Sequence, residues 1–239
     1  LGELDDAHII DGGSITGKCA NIHQGLVGTG TGLDGFITFL NTDCDSNGGF
    51  EVDGSRVRMS NSFFSIGYGA ASRVGQSAIT QTGGQLQITN SRFDVAGTAT
   101  SPVIQLNFQR ALDVNSLTVG INGDENPSFQ LSNSVINQNA DVSAVNATVT
   151  TYIGQGYVTL IGNLFKRPAV GTLAQPTIKT LDGSGSTRLT AIGNRQEPHT
   201  SGSVTFLNIG NDGTHVIDGN VAVGATNTFP AATRGTYLN

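Results

Sequence analysis

The chain has no tryptophan, one methionine, two cysteines and four tyrosines, and only 13% of its residues are charged. Each scarcity excludes something. Twelve Lys and Arg against 18 Asp and Glu give a net charge of −6, so the basic stripe that nucleic-acid binding needs is missing. That net charge is also too mild, over 239 residues, for a disordered polyelectrolyte. No window approaches the run of about 18 apolar residues that a membrane helix requires. Ala, Leu, Glu and Lys do not dominate, which argues against a helical bundle. Four histidines without zinc spacing argue against a zinc centre, and no cofactor is expected.

Glycine fills the space that these residues leave, at 33 positions, together with Asn, Ser, Thr and β-branched residues. Such a mixture suits short strands joined by tight turns. The chain opens on Leu1 rather than Met and shows no signal peptide, so it reads as a fragment or a processed product.

One pattern recurs: apolar, polar, apolar, small, Asn, often Ser. It appears as Val57-Arg58-Met59-Ser60-Asn61-Ser62, Leu86-Gln87-Ile88-Thr89-Asn90-Ser91 and Phe129-Gln130-Leu131-Ser132-Asn133-Ser134. Looser copies end at Asn163, Asn194 and Asn220, with a partial match at Asn115. The six main asparagines are separated by 29, 43, 30, 31 and 26 residues. A second strand precedes most copies, at Ser77–Thr80, Val103–Leu106, Thr151–Ile153, Thr177–Leu181 and Val204–Leu207. The unit therefore reads as strand, turn, strand, asparagine corner, loop. One unit cannot bury its own apolar side chains, whereas stacked units align them into continuous inward columns.

Asparagine tolerates the left-handed backbone of a corner, and its amide can bond to the equivalent group in the next coil. Phe63, Phe64 and Phe93, just after the corners, read as core. The 43-residue gap is one longer coil or one and a half coils, with 120–127 as a protruding polar loop. The expectation is one all-β domain over 1–239, a solenoid of about eight coils rising ~4.8 Å each, with 221–239 as a terminal coil or cap.

These asparagine-cornered coils resemble the right-handed parallel β-helix proteins, and among them bacteriophage tailspike and tail-fibre domains. The resemblance covers nearly the whole chain and is one of fold style. It implies a homotrimeric rod, in a virion tail or extracellular, that recognises host cell-surface polysaccharide and in some members hydrolyses it with paired carboxylates. A non-catalytic virion shaft or surface adhesin, and a secreted polysaccharide lyase, are the alternatives. Fold alone does not choose among them.

Half of the acidic residues precede position 54. Asp43 and Asp45 are two positions apart, as are Glu51 and Asp53, and Arg56 and Arg58 follow at the same spacing. On a strand such neighbours share a face about 6.5–7 Å apart, inside the roughly 6.5–9.5 Å range of an inverting glycosidase's acid and base. Glu51, Asp53, Asp43 and Asp45 are thus the candidate catalytic residues, the arginines candidate holders of an acidic sugar. The bland alternative is a solvated charged face. Tyr152 and Tyr157 are the candidate sugar-stacking rings. A calcium site from Asp43, Asp45 and Asp53 lacks an EF-hand pattern, and no metal is expected. Gly28–Gly32 lacks the lysine and helix of a phosphate loop. Glu197, His199, Asp212, His215 and Asp218 read as surface or turn residues. Cys19 and Cys44 sit about one coil apart, placed either for a disulfide or as two buried thiols.

Overall fold

A computed structural model describes residues 8–11, 14–17, 20–23, 37–46, 49–53, 56–66, 77–96, 101–108, 127–139, 147–151, 156–180, 187–210, 215–228 and 235–237. Among the described residues, twenty-five short strands visit three parallel sheets in strict rotation. The first sheet holds β1 (His8–Asp11), β4 (Ile37–Leu40), β7 (Arg56–Ser60), β10 (Gln85–Thr89), β13 (Ser128–Ser132), β16 (Gly156–Ile161), β19 (Thr187–Ile192), β22 (His215–Asp218) and β25 (Gly235–Tyr237). The second holds β2 (Ser14–Gly17), β5 (Asp43–Ser46), β8 (Phe63–Ile66), β11 (Arg92–Ala96), β14 (Val135–Asn139), β17 (Leu164–Lys166), β20 (Arg195–Gln196) and β23 (Val221–Ala222). The third holds β3 (Ala20–His23), β6 (Phe50–Asp53), β9 (Ile79–Gln81), β12 (Ile104–Leu106), β15 (Val149–Thr151), β18 (Ile178–Thr180), β21 (Thr205–Ile209) and β24 (Thr226–Thr228).

The molecule is a parallel β-helix, in which eight turns of three strands are followed by β25. Each coil therefore has three strands where the repeat in the sequence reads as two. The additional strand follows the corner. In Arg92-Phe93-Asp94-Val95 the alternation is plain once the structure supplies the frame: Phe93 and Val95 point in, Arg92 and Asp94 out. The 43-residue interval is one long coil, because β10 pairs with β13 residue for residue from Gln85↔Ser128 to Thr89↔Ser132. Asn115 and the loop 120–126 lie outside the described residues. The expected strand at Thr151–Ile153 is centred earlier, as β15.

Period-2 alternation turns one set of side chains inward on the central strands, as the alternating burial of β7, β10, β13, β16 and β19 shows. The parallel register stacks them: Val57, Leu86, Phe129, Val158 and Leu189 form one column of the first sheet. On the second sheet the column is Cys44, Phe64, Phe93, Ile136, Phe165 and Gln196. The third contributes Phe50, Ile79, Ile104, Val149, Ile178 and Leu207. Nearly all are fully buried, and each aliphatic or aromatic member contributes about 2 kcal/mol of apolar burial. Phe64 and Phe93 stack with centroids 4.5 Å apart. Phe63 departs from expectation: it occupies the outer row of the second sheet, half-exposed, with the Arg92 guanidinium 6.0 Å from its ring centroid.

The corner between the first and second sheets corrects the repeat by one residue. Asn41, Asn61, Asn90 and Asn133 carry the positive φ of the corner, between 50° and 52°. In later coils that position is Gly162, Gly193 and Gly219, at 64°, 61° and 59°. Asn163, Asn194 and Asn220 are therefore equivalent to Ser62, Ser91 and Ser134. It is this following residue that builds the ladder. Ser62 N–H donates to Ser91 Oγ (3.2 Å), Ser91 N–H to Ser134 Oγ (3.1 Å), and Ser134 N–H to Asn163 Oδ1 (3.0 Å). Asn163 N–H continues to Asn194 Oδ1 (3.1 Å), and Asn194 N–H to Asn220 Oδ1 (3.0 Å). The corner asparagines 61, 90 and 133 are exposed instead. Two jobs, local backbone geometry and inter-coil bonding, belong to adjacent positions.

Two histidines read in the sequence as surface or turn residues are buried, His199 within a loop and His215 on a strand. His215 takes an inward position of the first sheet, where its Nδ1 accepts from Leu189 N–H at 3.2 Å. His199 places Nε2 2.7 Å from Gly171 O and Nδ1 3.3 Å from Pro168 O, tying two stacked loops together. Cys44 is held in a disulfide; Cys19, the other cysteine of the chain, lies outside the described residues.

Candidate functional site

The outward face of the first sheet collects arginine, amide, hydroxyl and aromatic side chains. On β7, burial of Val57 and Met59 turns Arg56, Arg58 and Ser60 outward. The same alternation exposes Gln85, Gln87 and Thr89 on β10, and Ser128 and Gln130 on β13. It continues with Tyr157, Thr159 and Ile161 on β16, then Arg188, Thr190 and Ile192 on β19. Register aligns Arg56, Gln85, Ser128, Tyr157 and Arg188 in one row. A second row runs Arg58, Gln87, Gln130, Thr159 and Thr190. At ~4.8 Å per strand, Arg56 and Tyr157 are about 14 Å apart along the rod axis.

Arg58 Nε donates to Gln87 Oε1 at 3.1 Å, linking adjacent coils on the face. Tyr157 is 40% exposed, and the Arg188 guanidinium lies 5.5 Å from its ring centroid, a cation–π arrangement. Ser128, the register neighbour on the other flank, is too small to cover the ring. Three candidate substrate-binding residues, Arg56, Arg58 and Tyr157, are thus on one face; Tyr152 lies outside the described residues.

The carboxylates do not form one cluster. Asp43 and Asp45 sit on β5 of the second sheet, Glu51 and Asp53 on β6 of the third. Phe50 and Val52 are buried, so Glu51 faces outward and is half-buried. Asp53 is the last residue of β6, three residues before Arg56 opens β7. The Glu51–Asp53 pair therefore borders the edge at which the third sheet passes into the first. Asp43 is half-buried beside Phe63 in register, with Oδ1 enclosed and without a hydrogen-bond partner among the described residues. No group of three or more His, Cys, Asp or Glu among the described residues is placed to hold a metal ion.

The second sheet presents a different surface. Arg92 grips Asp94 of its own strand through Nε (3.1 Å) and Nη2 (2.8 Å), and Asn137 Nδ2 donates to Asp94 Oδ1 (3.2 Å). Lys166 pairs with Glu197 at 2.8 Å, both partly exposed. Such surface pairs contribute at most about 1 kcal/mol each. They mark a solvated face whose charges answer one another.

Gln85, Gln87, Gln130, Thr159, Arg188 and Thr190 belong to the same face without having been singled out in the sequence. The signal was present as the polar positions between the paired apolar residues of each repeat. The chain matches no protein-family model, no curated protein and no solved structure.

Proposed function

We propose that this parallel β-helix recognises an extended cell-surface polysaccharide laid along the outward face of its first sheet. The observation that carries the reading is the register row of Arg56, Gln85, Ser128, Tyr157 and Arg188. It offers one stacking ring, Tyr157, amid hydrogen-bonding side chains that recur at each coil at about 4.8 Å. Flat, pre-built surfaces of this kind bind without the entropic cost of ordering a loop. In a tailspike or tail-fibre setting the rod would work as a homotrimer on the virion, which native mass spectrometry would count.

Binding to a panel of bacterial capsular and O-antigen polysaccharides, followed by biolayer interferometry, tests the reading. Y157A is expected to weaken binding about tenfold, equivalent to ~1.4 kcal/mol. Failure of every glycan to bind, or a Y157A variant that binds as the parent does, overturns it.

Hydrolysis is the second reading, favoured by the position of Glu51 and Asp53 at the edge of the same face. One carboxyl would protonate the leaving oxygen while the other activates water. Sizing of polysaccharide after incubation tests it: shortening that is lost in E51Q and D53N supports the pair, and shortening unaffected by either removes it.

A further inference from the structure

The charge of the binding face is out of keeping with the charge of the chain. The protein has six more acidic than basic residues. Yet the outward positions of the five central strands of the first sheet, β7, β10, β13, β16 and β19, hold Arg56, Arg58 and Arg188 and neither aspartate nor glutamate. All three cations are arginines, although lysines face outward elsewhere, as Lys166 and Lys179 do. The planar guanidinium fork matches an oxyanion through two parallel hydrogen bonds, which an ammonium cannot do. The molecule contains its own example, the Arg92–Asp94 pair on the second sheet.

Arg188 is placed differently. It rests against Tyr157 and makes no hydrogen bond or ion pair with any described residue. A guanidinium held against a ring keeps its edge N–H groups available, and the ring restricts its rotamers before a ligand arrives. An exposed aromatic ring and a positioned fork stand side by side on a face whose five central strands supply no outward carboxylate, the nearest on the sheet being Asp218 of β22.

We propose that the polysaccharide taken by this face is acidic, and that Arg188, with Arg56 and Arg58 farther along the rod, binds its oxyanions while Tyr157 packs against a sugar ring. This inference rests on the proposed glycan-binding function and specifies its ligand class. Carboxylate and phosphodiester groups share the required chemistry, two oxygens that accept from one fork.

The test uses uronic- and sialic-acid-containing capsular polysaccharides, each beside its carboxyl-reduced counterpart, and a poly(glycerol phosphate) teichoic acid. At low ionic strength a native acidic polymer should bind at least tenfold more tightly than its reduced form, or the teichoic acid should bind where neutral glycans do not. The advantage should shrink in 0.5 M salt, where screening shortens to a few ångströms. R188Q should lose most of it, and R188K should recover less than half, because charge returns without the fork. Circular dichroism and the thermal midpoint check that both variants fold. Equal binding of native and reduced polymers, or preference undiminished in R188Q, overturns the acidic assignment while leaving glycan binding intact. Absence of binding to every form overturns both.

Discussion

Removal of one ladder rung separates the structural claim from its alternatives most sharply. Asn194 is fully buried. Its Oδ1 accepts from Asn163 N–H (3.1 Å) and Asn163 Nδ2 (2.9 Å), and its Nδ2 donates to Leu160 O (2.8 Å) and Asn220 Oδ1 (2.9 Å). Truncation in N194A leaves the buried Asn163 N–H without its acceptor. Each of the four lost bonds is worth about 1 kcal/mol net, so a loss of about 4 kcal/mol is expected. N194S should cost about half as much, since a hydroxyl can accept from the coil below as Ser134 Oγ does from Ser91. Urea unfolding followed by circular dichroism gives the difference, with a constant m-value as the check that one transition is compared. Hydrogen exchange at the Asn163 amide reads the same change locally and should accelerate in N194A but much less in N194S. A loss below 0.5 kcal/mol in N194A, or an N194S variant as damaged as N194A, would refute the ladder.

Three further outcomes follow from the same geometry. Asn133 holds a φ of 50°, so N133A should cost about 1–2 kcal/mol and N133G almost nothing, in thermal unfolding. Burial lowers the Arg167 guanidinium from its ordinary value to about 9 by desolvation. The unfolded chain then holds that proton more tightly, so the burial cost is complete below pH 9 and is relieved as pH rises from there towards the ordinary arginine value. The stability of the native protein relative to R167M should accordingly increase above pH 9, and an unchanged difference between pH 8 and 10.5 would contradict the desolvated cation. Gly202 has a φ of 86°, and a Cβ there would lie 2.1 Å from Gly171 O; G202A should expose the stacked loops around His199 to proteolysis, which limited trypsin digestion after Arg195 would register.

The fold was legible because solenoid physics is periodic. The apolar pairs Val57/Met59, Leu86/Ile88 and Phe129/Leu131 recur ahead of each corner, and none can bury itself without a stacked neighbour. The slip at the corner has a physical origin. Asn163 looks like Asn133, and only the backbone shows that Gly162 has taken over the positive φ while Asn163 has moved to the bonded position. Residue type is shared by two roles, so type cannot assign register. Phe63 was misread for a related reason: two successive phenylalanines, 63 and 64, must face opposite sides of a strand. His199 and His215 are buried because backbone carbonyls and amides meet their ring nitrogens, partners that no side-chain motif announces. Of the site, Arg56, Arg58 and Tyr157 were legible as chemistry. Their common face was not, since it depends on which coils are neighbours across the 43-residue interval.

That interval has a consequence for how such a rod can change. Between Asn90 and Asn133 the chain contains 14 residues more than the 29 from Asn61 to Asn90, yet β10 and β13 meet with no offset and Ser91 still reaches Ser134 Oγ. Additional sequence is accommodated between strands, where loop closure grows only slowly more costly with length. A single residue added within a strand would instead turn every later side chain to the wrong side. The β-helix thus separates permissive from forbidden insertion points by a few residues, and the connection between β12 and β13 is the natural place to graft a foreign loop or epitope without disturbing the coils on either side.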